Sequence, residues 1–359
     1  MAAAIPAEQK IVARFDARQQ LGSLWRHPVL RAALKAVLTV LAATTITFAL
    51  IRLLPGNPID LRIDELTKDG AMTYEEARAQ VAGLYAIELD APLPQQYASF
   101  LWNVLHGDLG NSFLSRGTPV TAIILAVLPW TLFAVGTGLL LSFAVGIGLG
   151  LLAAYRRGSV FDQAVSTAGS IVSSVPNYLI AILLVLVLGV QLRIVPITQM
   201  RGAYSPGVQP GFTLDFIGDV LFHAALPITV FFLTHIGHWI LSMRNATLAA
   251  LEEDFVIAAR ARGLPDSRIT TAYVGRNAVL PLVTQLAISV GFIVGGAVLI
   301  EQIFVYQGVG LRLLRAVAQR DYPVMQGILL LVTISVVVAN LFADLLYTRL
   351  DPRIGRASS

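Results

Sequence analysis

The 359-residue chain contains no cysteine, so neither a disulfide framework nor a thiolate metal site is open to it. Charge is scarce as well. Asp, Glu, Lys and Arg make up 13% of the residues, against roughly 25% in ordinary soluble proteins, and 26 basic with 22 acidic side chains would hardly cover a soluble domain of this size. A mean hydropathy of +0.71 and 56% hydrophobic residues exclude intrinsic disorder. A pI near 9.5 would suggest nucleic acid only if positive charge clustered on one face. Here it is spread between apolar blocks, which points to membrane topology and away from a nucleic-acid partner. Lysine is nearly absent: Lys10, Lys35 and Lys68 are the only three, and none follows a glycine. The chain therefore lacks the Gly-x-x-x-x-Gly-Lys-[Ser/Thr] loop that cradles nucleotide phosphates, and it is not expected to bind or hydrolyse ATP by that route. Ser166, Ser170, Ser173 and Ser174 have no histidine nearby in sequence, and the apolar runs hold no paired acids, so a nucleophile with its base is missing. His235 and His238 stand three apart, but without a nearby acid they read as interhelical hydrogen-bonding groups before metal ligands. No internal repeat is visible, which weakens a two-fold secondary transporter.

What is present is a series of apolar runs, each long enough to cross a bilayer as a helix and free of charge except for Lys35 and Arg52 near the ends of the first and Asp344 near the end of the last. Six occur, at residues 34–54, 123–154, 164–190, 220–243, 282–300 and 327–347. They predict an all-α, polytopic membrane protein with six transmembrane helices. With the N-terminus inside, the cytoplasmic segments carry 16 Lys and Arg against 10 outside, and residues 55–121 alone hold nine acids. Both termini are then cytoplasmic. Residues 1–33 form a polar, basic cytoplasmic extension, and the run after them lies too far from the start for a cleaved secretory signal, so it is expected to remain as the first span. Residues 34–350 are expected to form the six-span domain and 351–359 a cytoplasmic tail. Within the outer region 55–121, Thr73 with Glu75 and Glu76 begins a short helix whose Ala77, Val81 and Leu84 form an apolar stripe. Gly146, Gly148 and Gly150, and likewise Gly291 and Gly295, lie in uncharged spans and are read as close helix packing.

The cytoplasmic loop at 244–280 is the segment most suited to docking. Glu252, Glu253 and Asp254 crowd the N-terminal half of a predicted helix from Leu248 to Arg262. Arg260 and Arg262 occupy its last turn, and Gly263 with Pro265 supplies the stop. Asp266 or Ser267 can cap a second helix through Arg276. Leu251, Phe255, Ala258, Ala259 and Arg262 recur at helical spacing. This face can serve a partner cleft that accepts a short helix or pack on the chain's own helix ends.

The run Asp254-Phe-Val-Ile-Ala-Ala-Arg-Ala-Arg-Gly263-Leu-Pro, followed by Arg276-Asn277-Ala278 and Leu280-Pro281, resembles the coupling loop of ATP-binding-cassette importer permeases. More narrowly, the chain resembles the dipeptide, oligopeptide and nickel permease family in its first-subunit branch. Further matching segments are Arg52-Leu-Leu-Pro-Gly-Asn-Pro58, Gly107-Asp-Leu-Gly-Asn-Ser112, Arg157-Gly158-Ser159 with Phe161-Asp162, Glu301-x-x-Phe304 with Gly308-x-Gly310, Arg320-Asp-Tyr-Pro323, and Leu350-Asp-Pro-Arg-Ile354. Ile257 stands where the general motif places glutamate, and Leu280-Pro281 lies farther from Gly263 than in that motif.

The resemblance implies a pore subunit in a bacterial cytoplasmic membrane. It would pair with a second homologous permease, two ATPases that bind ATP and Mg, and an extracytoplasmic substrate-binding protein, binding no cofactor itself. The resemblance assigns ATPase coupling to Asp254, Phe255, Ile257, Ala258, Ala259, Arg260, Arg262 and Gly263, and the receiving surface for the binding protein to residues 55–121 and the loop of Glu301 and Asp321. Polar residues within apolar spans, Ser173, Ser174, Asn177, Thr229, Gln285 and Ser289, are candidates for the translocation path, with helix-helix hydrogen bonding as the competing role. A self-sufficient secondary transporter or channel is the alternative, and a membrane-embedded enzyme a third reading without a nucleophile-base pair behind it.

Overall fold

The computed structural model describes residues 28–53, 63–64, 67–68, 72–85, 91–115 and 117–350. Most of the extension at 1–33, the Pro55–Pro58 part of the first quoted motif, the side chains of Val81 and Leu84, and the tail 351–359 lie outside it. Among the described residues there is no strand, only an isolated bridge between Asn111 and Pro119.

The described chain begins with α1 (Pro28–Leu53), then α2 (Tyr74–Tyr85) and α3 (Leu93–Leu105) within the region 55–121. Thr73 and Glu76 close a capping box before α2: the Glu76 amide donates to the Thr73 hydroxyl, and the Thr73 amide donates to the Glu76 carboxylate at 2.9 Å. Those bonds hold the Glu76 carboxyl below its ordinary range. The long α4 (Val120–Tyr155) follows, then α5 (Val160–Ser174) and α6 (Asn177–Leu184), which continues as a π-helical turn, Val185–Gln191. After a loop come α7 (Leu214–Leu251), α8 (Asp254–Ala261) and α9 (Asp266–Arg268). A π-helical stretch, Ile269–Gly275, joins α9 to α10 (Arg276–Gly291), and α11 (Ile293–Gly296), α12 (Val298–Phe304), α13 (Val309–Ala318) and α14 (Tyr322–Leu350) complete the chain.

Helices α1, α4, α7 and α14 are each long and apolar enough to span a membrane, and α5 with α6 adds a fifth as a pair bent by 99°. Two predicted spans therefore differ from uninterrupted helices. The run at 164–190 breaks at Val175 and Pro176, because proline pushes the residue before it into the extended region, and Val175 lies at φ −89°, ψ 125°. The run at 282–300 is divided among α10, α11 and α12.

Packing is closest where side chains are smallest. Gly138, Ser142, Gly146 and Gly150 repeat every four residues along α4 and are all buried against α7. A Cβ added at Gly138, Gly146 or Gly150 would come within 2.5 Å of Phe231, Trp239 or the Ile240 carbonyl respectively. Gly148 has open space around it, so the packing role belongs to its two neighbours. Gly291 meets Ala339 of α14 and Gly295 meets Val332. At the crossing of α5 and α7, a Cβ on Gly237 would fall on the Gly169 carbonyl oxygen, a backbone atom with no rotamer by which to yield. Gly237→Val is accordingly expected to abolish recovery of folded chain from membranes in mild detergent, whereas Gly148→Val, facing open space, leaves yield unchanged; equal yields would refute this contact.

The core gathers Val230, Phe231, Trp239 and Met243 of α7, Leu139 of α4, and Ile300, Phe304 and Tyr306 near α12. Leu125, Leu132, Leu140 and Leu141 of α4, with Leu38, Leu41, Ile46 and Leu50 of α1, remain exposed, the surface a lipid phase would cover.

Candidate functional site

The coupling segment differs in detail from its predicted helix. Leu248–Leu251 continue α7, and Glu252 with Glu253 makes the joint before α8 begins at Asp254. Apolar, helix-favouring Leu248–Leu251 extend the α7 ladder, while the carboxylates favour the positive end of the next helix. α8 ends in a Schellman motif. The Gly263 amide donates to the Arg260 carbonyl at 2.9 Å, the Leu264 amide donates to the Ala259 carbonyl at 3.3 Å, and Gly263 sits at φ +74°. Pro265, not Asp266 or Ser267, occupies the cap position of the next helix. Arg260 and Asp266 form an exposed ion pair across the turn at 3.5 Å, worth well under ~1 kcal/mol.

The face of α8 that packs inward carries Val256 and Ala259, buried with Ile269 and Val274 of the π-helical stretch, while Phe255 and Leu264 are half-buried at its edge. Ala259 is therefore held within the chain. Asp254, Ile257, Ala258, Arg260, Arg262 and Gly263 are exposed, and Ile257 is 63% exposed, a bulky apolar side chain projecting from a polar loop. Because α9, the π-helical stretch and α10 run on without leaving helical geometry, α8 is gripped by the stretch that becomes α10.

At the other end, the two acids assigned to the receiving surface are buried and act inwardly. Glu301 accepts from the Thr131 hydroxyl at 2.6 Å and from the Leu311 amide at 2.9 Å, and the Thr131 oxygen in turn accepts from the Val309 amide at 2.8 Å. Gly308 is required there, since a Cβ would fall on the Glu301 carboxylate. Asp321 accepts from the Ser112 hydroxyl and the Phe113 amide, and the Ser112 oxygen accepts from the Leu114 and Ser115 amides. The Gly107–Ser112 and Arg320–Pro323 motifs, far apart in sequence, thus meet at one carboxylate. Asp321→Ala would strip an acceptor from the buried Ser112 hydroxyl, at about 1–3 kcal/mol, and from the half-buried Phe113 amide, at less. It is expected to lower the melting temperature of the purified chain more than Asp108→Ala, whose carboxylate, among the described residues, accepts the Gly110 amide two residues away; the reverse order would overturn this role.

Among the path candidates, the Ser174, Thr229 and Ser289 hydroxyls donate to carbonyls four residues earlier in their own helices, at Ser170, Ala225 and Gln285. Gln285 reaches His238 across α7 and α10 at 2.9 Å. Ser173 lies beside Gly237, and half-buried Asn177 starts α6 at the break. His235 bonds the Phe231 carbonyl and Thr234, and among the described residues no three potential metal ligands converge.

Residues 146–356 match the family of binding-protein-dependent transport system inner membrane components. The chain belongs to this family. Its similarity to individual members extends further along its length. A dipeptide transport system permease protein of Escherichia coli is 34% identical over 330 residues, 88% of this chain and 95% of that relative. A di/tripeptide transport system permease protein of Pseudomonas aeruginosa is 34% identical over 327 residues, with the same shares covered. An oligopeptide transport system permease protein of Bacillus subtilis is 31% identical over 326 residues, 91% of this chain and 98% of its own. The chain is thus a multi-pass inner-membrane permease subunit of an ATP-binding-cassette importer.

The matched part of this permease contains a bond that sequence reasoning missed. Asp162, in the first turn of α5, accepts both Nε and Nη2 of Arg244 on α7, at 2.6 and 2.9 Å. It also accepts from the Gly158 amide and the Ser166 hydroxyl. The Arg157–Asp162 motif is thereby tied to the helix that leads into the coupling segment. Partners 82, 170 and 209 residues apart leave no local signal. A single hint is available: Asp162 and Thr131 are polar residues in or beside apolar runs, where a satisfied partner is obligatory.

Proposed function

We propose that this chain is the pore-forming first permease subunit of an importer that moves peptides, or a related small solute, inward across a bacterial cytoplasmic membrane. The names of its relatives, permeases for dipeptides, di/tripeptides and oligopeptides, support the substrate class. A second homologous permease completes the pore, and two partner ATPases bind ATP and Mg and perform the hydrolysis. An extracytoplasmic binding protein delivers substrate, and both termini of this chain face the cytoplasm.

The observation that carries the coupling role is the division of α8 into two faces. Ile257, with Asp254, Ala258 and Arg262, is open to an ATPase cleft, while Val256 and Ala259 hold the stretch that becomes α10. Closure of the two ATPases displaces such a helix as a rigid lever, since the Schellman turn and buried contacts oppose local yielding. Packed α7 and α10 carry the displacement toward the outer gate. A nucleotide or ligand biases whichever arrangement it contacts better. Glu301 and Asp321, both buried, shape the loops that meet the binding protein without offering their own charge.

The test is isolation of the tagged chain from its native membrane in mild detergent. Co-purification of a homologous permease and ATP-hydrolysing subunits is expected, and Ile257→Asp should release the ATPases while the second permease stays bound. Solute transport by the purified chain alone, driven by an ion gradient, would overturn the proposal.

A further inference from the structure

The outer helix α3 has three distinct sectors. Its inner stripe packs on the first span: Tyr97 and Phe100 lie against Phe48, with ring centroids 5.2 and 5.6 Å apart, and the Tyr97 hydroxyl hydrogen-bonds Thr45. At about 100° per residue, the remaining surface forms two adjoining flanks. Pro94, Ala98, Trp102 and Leu105 fall on one flank, and Gln95, Ser99 and Asn103 on the other. Trp102 is 65% and Leu105 80% exposed. The helix carries no charged side chain and no fully buried residue.

The depth of this helix follows from its seat. α1 has 26 residues, so at ~1.5 Å each it is about 39 Å long against a hydrocarbon layer of ~30 Å. A centred α1 overhangs by roughly 4–5 Å at each end, while Phe48 lies five residues, about 8 Å, from Leu53. Phe48 is thus a few ångströms inside the hydrocarbon edge, and the helix packed on it lies at the boundary between acyl chains and headgroups. An apolar flank with tryptophan, a neutral polar flank and this depth are the attributes of a helix lying in the interface plane.

We propose that α3 is an interfacial anchor: its Trp102 flank is immersed in the lipid leaflet at the Leu53 end of α1, and its Asn103 flank faces water. The helix thereby holds the Ser112 turn that follows it, pinned by Asp321, at a fixed height above the bilayer. The seat depends only on α1 spanning the membrane; naming this leaflet the outer one rests on the orientation proposed above.

The absence of cysteine allows single thiols to be introduced into the chain without background. Nitroxide labels at Ala98→Cys, Leu105→Cys, Ser99→Cys and Asn103→Cys would be read in the assembled transporter. The vesicles are of phosphatidylcholine and phosphatidylglycerol, and the partner subunits are cysteine-free. At Ala98 and Leu105 the collision rate with oxygen should exceed that with a water-soluble nickel chelate, and at Ser99 and Asn103 the order should invert. A nickel chelate that reaches all four sites better than oxygen places the helix in water and overturns the proposal. Labels at Ala98 and Leu105 that are immobile and shielded from both reagents overturn it too, by assigning the flank to a protein partner. The readout requires no transport, so it stays distinguishable from failure of the importer reading. Should one variant fail to assemble, the remaining site on the same flank gives the same sign.

Discussion

Gly263→Val is expected to leave the chain in the membrane and its ATPases bound, while substrate uptake falls and ATP hydrolysis no longer responds to substrate. Gly263 occupies the left-handed position of the Schellman turn at φ +74°, and no atom lies within 4 Å of an added Cβ. The effect therefore comes from backbone conformation alone. A non-glycine residue costs roughly 1–2 kcal/mol there, and a β-branched one is worse. Escape from that strain breaks the bonds from Gly263 and Leu264 back to Arg260 and Ala259, and α8 loses its fixed angle to the stretch it packs on. A loss of about tenfold or more in uptake corresponds to that energy. Gly263→Asn is the control, because asparagine tolerates the left-handed region. It should keep most of the uptake, and equal uptake in the Val and Asn variants would show that the turn does not transmit force.

Asp162→Ala should produce a large loss of stability where α5 meets α7. Four donors converge on this carboxylate, two from Arg244 and one each from Gly158 and Ser166. Asp162 is buried and Arg244 half-buried. Removing one partner of such a pair strands the other, at about 3–5 kcal/mol when fully buried; the partial exposure of Arg244 places the expectation near the lower figure. Asp162→Asn retains acceptors for the neutral donors and should fall between wild type and Asp162→Ala. Melting temperatures of the three purified chains in detergent test the order, and indistinguishable values would remove this bond as the tie between the α5 turn and α7.

Much of this permease is legible in its order of residues. The low charge and apolar runs announce membrane helices, and α1, α4, α7 and α14 lie where hydropathy places them. Turn chemistry is equally local: Thr73 with Glu76 caps α2, and Gly263 ends α8. Proline shows the limit. Pro129, Pro227 and Pro281 lie inside helices, whereas Pro176 marks a bend of 99°. Each removes one amide donor in the same way, so the difference rests on whether neighbouring helices hold the two halves in line, and no local pattern encodes that.

The candidate site divides along the same boundary. The sequence by itself determined that a helix, a glycine turn and another helix follow the α7 span, because capping and helix termination act over four or five residues. Only the tertiary structure decided that Ala259 faces inward and Ile257 outward. Burial on Ile269 and Val274 selects among faces that periodicity leaves equivalent. Only it joined Ser112 to Asp321, Thr131 to Glu301 and Asp162 to Arg244. A buried polar group in an apolar surrounding must find a partner, and the sequence states the need while the packing of distant helices supplies the partner.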